Sequence, residues 1–371
     1  MRMALTISLQ FRKMSNVTVL IEKYGIGHAV AAVEKGIVID FLIDPLTEAD
    51  ASIVGSIVAA KFDRHLIGIN GTFVTLPNNK KGFLRGVNNK QVHFVAPVYV
   101  DTYTEIHKKQ PVSTRLILKG RYVILTPNRP GLSISRRIKS QIIRDNLCDT
   151  VSRVSGNLPT SCGLIVRSQA KFANESDLVF EIKEKIHQYS LIFDTDFYEP
   201  KIIIDPPKAR DRAIVDWFFD EPYSLVEEDL CFDRFGVWEQ IAKFMLQKVE
   251  LKNGGFLIIE PTSAFVAVDI NTGSDVSYTT ALQTNLFAME ELPRQLAIRG
   301  LGGKIVVEFA PLSKKDRFRV EAQFKKAKTK ARIECDIVGW TKLGNLELQK
   351  KRDKLPINQV LEKDQRFKAS N

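Results

Sequence analysis

The chain has 371 residues and a formal net charge of +11, with 44% hydrophobic and 26% charged residues. This length is typical of two or three domains, and the composition excludes wholesale disorder. No apolar run is long enough to span a bilayer. The four scattered cysteines form no CxxC pair, so they indicate neither a disulfide framework nor a four-cysteine zinc site. We expect a cytoplasmic protein without a signal peptide.

The positive charge is concentrated towards the end of the chain. Residues 304–371 carry 18 Lys and Arg against 9 Asp and Glu. A basic surface of this kind attracts polyphosphate through counterion release and long-range steering. A solvated helix face that binds nothing is the alternative interpretation of a charge run.

Short apolar runs separated by turns dominate the first third of the chain. Residues 17–45 predict a three-stranded meander, and residues 54–98 predict further short strands with turns at 70–71 and 77–79. Short twisted strands that close on themselves predict a small barrel, most plausibly an OB-fold.

The rest of the chain alternates predicted helices with strands. The stretch at 254–273 predicts two strands joined by a turn at 261–263, and residues 304–309 predict another strand. From Pro356 onward, the sequence predicts a frayed tail. Helices are predicted at residues 140–153, 174–195, 238–251, 278–298 and 314–330.

A strand that ends in Asp269, Ile270 and Asn271 is the sharpest local signal. Residues two apart in a strand project to the same face, so Asp269 and Asn271 point together. The preceding residues FVAV are all apolar, which predicts a strand buried on both faces. A second apolar strand ends at Glu308. If the two strands are parallel neighbours, their ends bring Asp269 and Glu308 together.

This pair of carboxylates predicts a metal site. Like charges side by side are costly unless a cation neutralises them. Mg²⁺ suits the pair because it binds hard oxygen ligands, keeps several waters and shares phosphate oxygens, and Mn²⁺ is an alternative ion. A bound ion can lower the pKa of a water and stabilise charge on a phosphodiester. A strand end capped by polar residues, with Asp269 serving a turn or a helix N-cap, is the alternative interpretation.

Several stretches, taken in chain order, resemble the catalytic region of the ribonuclease E/G family. They are RYVILTPNRPGLSISRRI at 121–138, SCGLIVRS at 161–168, GGFLIIEPTSAFVAVDINTG at 254–273, TNLFAMEELPRQLAIRGLGGKIVVEF at 284–309 and ARIECDIVGWTKLGNLELQKKR at 331–352. The resemblance implies an endoribonuclease that cleaves single-stranded RNA with Mg²⁺ and leaves 5′-phosphate products. Its catalytic residues would be Asp269, Asn271 and Glu308, and Asp269 and Glu308 would hold the metal.

The sequence departs from the family pattern next to this site. The family usually has Asp where this chain has Glu308, and Pro311 replaces a second acid of the same motif. One extra methylene moves a carboxylate by about 1–1.5 Å, and catalytic geometry tolerates little misplacement. A catalytically impaired RNA-binding protein of the same fold is therefore the second hypothesis. A structural subunit of a ribosome-associated or RNA-degrading assembly is the third.

The resemblance implies a multidomain α+β fold. An OB-fold barrel and a 5′-end-sensing α/β insert would be attached to an RNase H-like and DNase I-like core. The expected units are N-terminal RNase H-like strands at 1–50, the OB-fold at 51–115, the 5′-sensor-like subdomain at 116–200, the rest of the RNase H-like subdomain at 201–250, the DNase I-like subdomain at 251–355 and a tail at 356–371.

The resemblance also implies binding residues for 5′-monophosphorylated single-stranded RNA. The 5′-phosphate site would comprise Gly120, Ile124, Arg167 and Ser168. Further RNA-binding residues would be Phe73, Phe83, Lys108, Lys109, Arg136, Arg137, Lys325, Lys326 and Lys328. Core packing of the two Phe residues and a surface ion pair of Arg167 are the alternatives. Neither zinc nor a zinc-linked dimer is expected. Oligomerisation of another kind is an open question at this point.

Overall fold

The computed structural model describes residues 17–66, 68, 70–86, 94–104, 108–217, 223–274 and 277–367. The first expected unit begins in residues 1–16, which lie outside this range. The first eleven strands are β1 Val17–Tyr24, β2 Gly27–Glu34, β3 Ile37–Ile43, β4 Ile57–Leu66, β5 Gly71–Thr75, β6 Lys81–Arg85, β7 Val95–Val100, β8 Gln110–Ser113, β9 Leu118–Lys119, β10 Val123–Thr126 and β11 Gly131–Ile134.

The remaining strands alternate with helices. They are β12 Gly163–Val166, β13 Lys201–Ile204, β14 Ser224–Glu227, β15 Lys248–Glu250, β16 Phe256–Pro261, β17 Val266–Asn271, β18 Gly303–Glu308, β19 Cys335–Trp340 and β20 Leu346–Lys350. The helices are α1 Gln141–Val154, α2 Glu175–Phe193, α3 Ala209–Asp216, α4 Cys231–Arg234, α5 Val237–Met245, α6 Tyr278–Ile298, α7 Arg317–Lys330 and α8 Ile357–Leu361.

The N-terminal strands form a sheet in the order β14-β1-β2-β3. Strands β1 to β3 are antiparallel neighbours, as the predicted meander requires, and β14 pairs parallel with β1. Apolar side chains cover both faces of this sheet. Trp238 of α5 belongs to the cluster on one face, and Trp217, just after α3, belongs to the cluster on the other. The RNase H-like description of this region stays a prediction.

Strands β4 to β8 form a closed five-stranded barrel. Antiparallel pairing of β4 with β7 closes it, and its interior holds Val58, Phe62, Val74, Leu84 and Val98. The predicted barrel is confirmed, and its closure fits an OB-like fold. Strand β13 pairs with β4, so residues 201–204 extend the barrel sheet and not the N-terminal sheet.

A small sheet in the order β11-β12-β10-β9 follows the barrel. Helices α1 and α2 cover one face, where Leu178 and Ile182 pack with Val123 and Val166. Both helices begin at the caps that their sequences favour. Ser140 accepts from the backbone N–H of the third helical residue of α1, and Asn174 does the same for α2.

The C-terminal sheet has six strands in the order β15-β16-β17-β18-β20-β19. Helices α6 and α7 pack on one face, where Leu292 and Phe324 meet Val268, Ile305 and the other core residues of the strands. The predicted helix at 278–298 is confirmed at both ends, whereas α7 begins at Arg317, after a short 3₁₀ turn. The DNase I-like description stays a prediction.

Two predictions about secondary structure are wrong. The helix predicted at 238–251 ends at Met245, because Leu246 is extended and Lys248–Glu250 pairs with β16. The segment after Pro356 is no frayed tail over the described residues. It forms α8, whose Ile357, Val360 and Leu361 are buried in the cluster that includes Trp238.

Within the described ranges, no helix combines the length and the apolarity needed to cross a membrane.

Candidate active site and RNA-binding surface

Strands β17 and β18 carry the predicted catalytic residues. They pair in parallel, and Asp269 is the register partner of Glu308. The expectation that the two strands are parallel neighbours is therefore confirmed. Register partners project to the same face, and neighbouring strands lie about 4.8 Å apart. The two carboxylates consequently leave the sheet side by side.

Strand β17 is buried on one face only, so the prediction of burial on both faces is wrong. Val266, Val268 and Ile270 are buried, whereas the alternate residues, including Asp269 and Asn271, are half-buried. Helices α6 and α7 cover only the face to which the buried residues point. Asp269 and Glu308 therefore lie on the opposite, open face, which a substrate could reach.

Asn271 holds the carboxylate of Asp269. Its amide Nδ2 donates a hydrogen bond of 2.7 Å to Asp269 Oδ2. The chain then turns at once, since Gly273 has φ of +76° and a Cβ there would lie 2.7 Å from the carbonyl oxygen of Gly254. Only glycine suits this conformation and this close approach. The strand end thus keeps Asn271 beside Asp269.

The donor set on the open face fits a divalent ion that is shared with a substrate. No cluster of three or more His, Cys, Asp or Glu side chains suitable for a metal occurs in the part of the chain that the structure describes. Asp269 and Glu308 offer two carboxylates from adjacent strands. Mg²⁺ is commonly bound by one or two carboxylates together with waters and substrate phosphates, and not by an all-protein cage. The residues present therefore fit Mg²⁺ as a shared ion.

A hydrogen-bonded cluster joins the segments that follow the two strands. Tyr278, the first residue of α6, donates from Oη to Asp316 Oδ2 at 2.6 Å, and Ser313 Oγ donates to the same oxygen at 2.6 Å. Hydrogen bonds from Ser313 and Tyr278 lower the pKa of Asp316 to about 2, with a further contribution from Arg319. We call Tyr278, Ser313 and Asp316 the clasp. It ties the loop after Glu308 to the helix that follows Asn271.

A buried amide anchors the same loop a second time. Asn285 of α6 donates from Nδ2 to the backbone oxygen of Ala310 at 3.0 Å, and Asn285 is fully buried. The path of the chain after Glu308 is therefore set by α6 at two points.

The structure brings together Gly120, Arg167 and Ser168, three of the four residues predicted to bind a 5′-phosphate. Arg167 donates from Nη1 to the backbone oxygen of Gly120, and its backbone N–H donates to Tyr122 at 2.7 Å. Ile124 lies on the neighbouring strand β10, where it is the register partner of Ile165 of β12. Ser168 follows Arg167 in the chain and is buried.

Arg167 is half-buried and is held by backbone oxygens of the protein. Its Nη1 also donates to the backbone oxygen of Val215 at 2.7 Å. Burial lowers the pKa of this guanidinium, while the carboxylates of Asp216 and Glu181 act in the opposite direction. The side chain is thus fixed by neighbours from three segments of the chain.

The two aromatic residues predicted to bind RNA lie on the outside of the barrel. Phe73 and Phe83 are register partners on β5 and β6, and their ring centroids are 5.8 Å apart in an edge-to-face arrangement. Both are half-buried and lie outside the cluster that fills the barrel. Lys81 and Arg85 lie two residues before and after Phe83 on the same face of β6, and both are exposed. The surface therefore combines aromatic and basic side chains, a combination typical of proteins that bind single-stranded nucleic acid.

The predicted basic residues fall into three places. Lys108 and Lys109 are exposed just before β8. Arg136 and Arg137 are exposed just after β11, a strand of the small sheet that also contains Ile124. Lys325, Lys326 and Lys328 lie on α7, in the helix layer behind the sheet, so the structure does not bring them together with Asp269 and Glu308. Lys328 also donates to the backbone oxygen of Cys335 at 2.6 Å.

Sequence reasoning missed two groups near these sites. One is the clasp, and the other is Glu181 on α2, which accepts hydrogen bonds from the turn at residues 121–123. An acidic residue in the middle of an amphipathic helix gives no signal of this contact. The partners are about sixty positions apart, as the separations of 58, 59 and 60 residues show.

Comparison with known proteins agrees with this arrangement. The sequence model of the Ribonuclease E/G family matches residues 117–226 and 221–353, which is well over half of the chain. The chain therefore belongs to the ribonuclease E/G family. The prediction that it is an endoribonuclease of this type is confirmed by the family and by the names of its relatives.

Three relatives illustrate the similarity. Ribonuclease G of Escherichia coli K12 is 28% identical, over 90% of this chain and 79% of the relative. Ribonuclease E of Nostoc sp. is 29% identical, over 66% of this chain and 42% of the relative. A Ribonuclease E/G-like protein of Pyropia yezoensis is 22% identical, over 85% of this chain and 72% of the relative.

Proposed function

We propose that this protein is a Mg²⁺-dependent endoribonuclease that cleaves single-stranded RNA and leaves 5′-phosphate products. The observation that carries the proposal is the register pairing of Asp269 with Glu308, with Asn271 donating to Asp269. Two carboxylates on adjacent parallel strands, open on one face, match the oxygen donors that Mg²⁺ shares with phosphate.

Asp269 and Glu308 would hold the ion between the sheet and the RNA backbone. When bound, Mg²⁺ supplies a Lewis acid that stabilises charge on the phosphodiester and lowers the pKa of a water. Asn271 keeps the Asp269 carboxylate in one orientation through its amide, as outer hydrogen bonds do for metal ligands. The clasp holds the loop after Glu308. The end of β18 that carries the Glu308 carboxylate is therefore fixed in place.

Substrate binding would use the barrel and the small sheet. Phe73 and Phe83 would stack unpaired bases, with Lys108 and Lys109 near the backbone. Gly120, Ile124, Arg167 and Ser168 would recognise a 5′-monophosphate, with Arg136 and Arg137 along the RNA path. A/U-rich RNA in ribosomal RNA maturation or messenger turnover would be the natural substrate. The compartment would be a reducing cytoplasm, since all four cysteines are free thiols.

The test is cleavage of a 5′-monophosphorylated single-stranded RNA of defined sequence. Cleavage with Mg²⁺ that stops in EDTA, with products that carry 5′-phosphates, is the expected result. Mn²⁺ in place of Mg²⁺ should restore it. Cleavage that continues in excess EDTA would overturn the metal-dependent mechanism.

A second candidate function is RNA binding without cleavage. It is favoured by Glu308 and Pro311, which stand where the family usually has two acids. The same assay distinguishes the two candidates. RNA that binds tightly but stays intact at millimolar Mg²⁺ and Mn²⁺ would favour the binding protein.

A further inference from the structure

A carboxylate from α2 occupies the inside of the turn at residues 120–123. Glu181 Oε2 accepts from the backbone N–H of Arg121 at 2.8 Å. Its Oε1 accepts from Tyr122 at 2.7 Å and from Val123 at 2.8 Å. Three consecutive backbone N–H groups thus converge on one charged side chain. Such charge-assisted bonds are about twice as strong as neutral ones.

The turn is shaped to let the Glu181 carboxylate approach closely. A Cβ on Gly120 would lie 2.3 Å from Glu181 Oε1, so glycine is the residue that lets the carboxylate approach. Gly120 N–H also donates to the backbone oxygen of Val123 at 2.8 Å, which closes the turn upon itself. Glu181 and Gly120 are therefore complementary parts of one arrangement.

The outer side of the same turn holds Arg167. The backbone oxygen of Gly120 accepts from Arg167 Nη1, and the backbone oxygen of Tyr122 accepts from the Arg167 N–H. The N–H groups of residues 121–123 thus point to Glu181, and the carbonyl oxygens of Gly120 and Tyr122 accept from Arg167. Any change in the turn would move the acceptor that orients the guanidinium.

We propose that Glu181 is a positioning residue for 5′-end recognition, which orders the turn at 120–123 so that Gly120 fixes Arg167. This inference rests on the proposed 5′-end recognition. It also specifies the chemistry of that recognition. Consecutive backbone N–H groups form a concavity that could bind an anion, but here a side chain of the protein fills it. A 5′-phosphate is therefore bound by side chains such as Arg167, and not by these N–H groups.

The experiment compares one single-stranded RNA carrying either a 5′-monophosphate or a 5′-hydroxyl. The parent protein, Glu181→Ala, Glu181→Gln and the matched control Glu184→Gln are measured on both. Glu184 lies one turn further along α2, is exposed, and contacts Lys185 and Gln188. The readouts are kcat/KM with Mg²⁺ and the Kd with EDTA, each expressed as the ratio between the two RNAs.

We expect the parent and Glu184→Gln to prefer the 5′-monophosphate equally. Glu181→Ala should reduce that preference at least about tenfold, because misplacing a binding group by about 1 Å costs up to a hundredfold. Binding and cleavage of the 5′-hydroxyl RNA should not change, which separates this effect from general damage. Glu181→Gln should show a smaller loss, because its amide oxygen still accepts from Tyr122 and Val123. It also serves as the test if the alanine variant does not fold.

Three results would overturn the inference. An unchanged ratio in both Glu181 variants would show that the turn does not need the carboxylate. A ratio that rises would show that Glu181 competes with the phosphate for the N–H groups. A parent protein that does not distinguish the two RNAs would overturn 5′-end recognition together with this inference, while metal-dependent cleavage would stand untouched.

Discussion

The strand pair that carries Asp269 and Glu308 differs from the turn at 120–123 in how its polar groups are held. On the strands, the contacts join register partners or residues two apart, and the side chains face outward. In the turn, Arg167 and Glu181 reach residues about fifty to sixty positions away and are satisfied inside the protein. The first arrangement leaves its charges available to an ion, whereas the second uses its charges to order the turn.

This difference predicts different consequences of substitution. Removing a charge from the open face should abolish chemistry and leave binding intact. Removing a charge from the turn should change which RNA is preferred and leave chemistry intact.

The largest expected effect is that of Asp269→Asn. It removes a carboxylate from the pair but keeps the size of the side chain, so cleavage should fall about a thousandfold, the scale of losing one preorganised electrostatic contact. RNA affinity in EDTA should stay near that of the parent. Glu260→Gln is the matched control, because Glu260 is exposed on the same face of β16. Cleavage at the parental rate would show that Asp269 takes no part in the chemistry.

The next effect concerns the barrel. Phe83→Ala should weaken RNA binding about 5- to 150-fold, because stacking on an aromatic side chain contributes about 1–3 kcal/mol per base. The rate at saturating RNA should not change, and Phe73→Ala should behave in the same way. Tyr198→Ala, which changes an exposed aromatic residue outside the barrel, should have no effect. An equal loss of RNA affinity in all three variants would show that the barrel does not bind RNA through these aromatic residues.

Arg167→Lys tests the turn from its outer side. Lysine keeps the charge but lacks the planar group that donates to two carbonyl oxygens. The preference for a 5′-monophosphate should fall at least about tenfold, since a hydrogen bond to a charged group contributes about 1.5–3 kcal/mol. Competition between 5′-monophosphate and 5′-hydroxyl RNA in one reaction measures this preference. A preference that is retained would place phosphate recognition elsewhere.

The smallest effect is a pH-dependent change in stability at the clasp. The pKa of Asp316 is about 2 in the folded protein, below the value of about 3.9 for an unfolded chain. Its ionised form therefore stabilises the fold above about pH 4, and this contribution is lost as the pH falls towards 2. Asp316→Asn should lower Tm at pH 7, and the difference from the parent should shrink as the pH falls below about 4.

Thermal unfolding between pH 3 and 7 measures this difference. Asp336→Asn is the control, because the Asp336 side chain is 89% exposed. A difference in Tm that stays constant down to pH 3 would contradict the assignment of the low pKa to the clasp.

The sequence predicts the open-face pair well for a physical reason. Alternation places Asp269 and Asn271 on one face, and in α/β sheets binding sites lie at the carboxyl ends of neighbouring parallel strands. What it could not give was the exposure of that face. Ala267 is apolar but only half-buried. The hydrophobicity of the strand alone therefore predicted too much burial for this face.

The turn lay beyond such reasoning. Its geometry depends on the packing of α2 against β10, which brings Glu181 to residues 121–123. Pairing between sites so far apart leaves no local pattern. The end of the chain was missed for a related reason. Ile357, Val360 and Leu361 have helical spacing, but only the cluster around Trp238 makes their burial favourable.

Binding of Mn²⁺ to the protein without RNA tests the central claim most directly. Free Mn²⁺ is followed by its electron paramagnetic resonance signal in a titration of the parent, Asp269→Asn, Glu308→Gln and Glu260→Gln. We predict one ion per chain in the parent and in Glu260→Gln, and at least about tenfold weaker binding in the other two variants. Equal Mn²⁺ affinity in all four proteins would contradict the claim that Asp269 and Glu308 hold the ion.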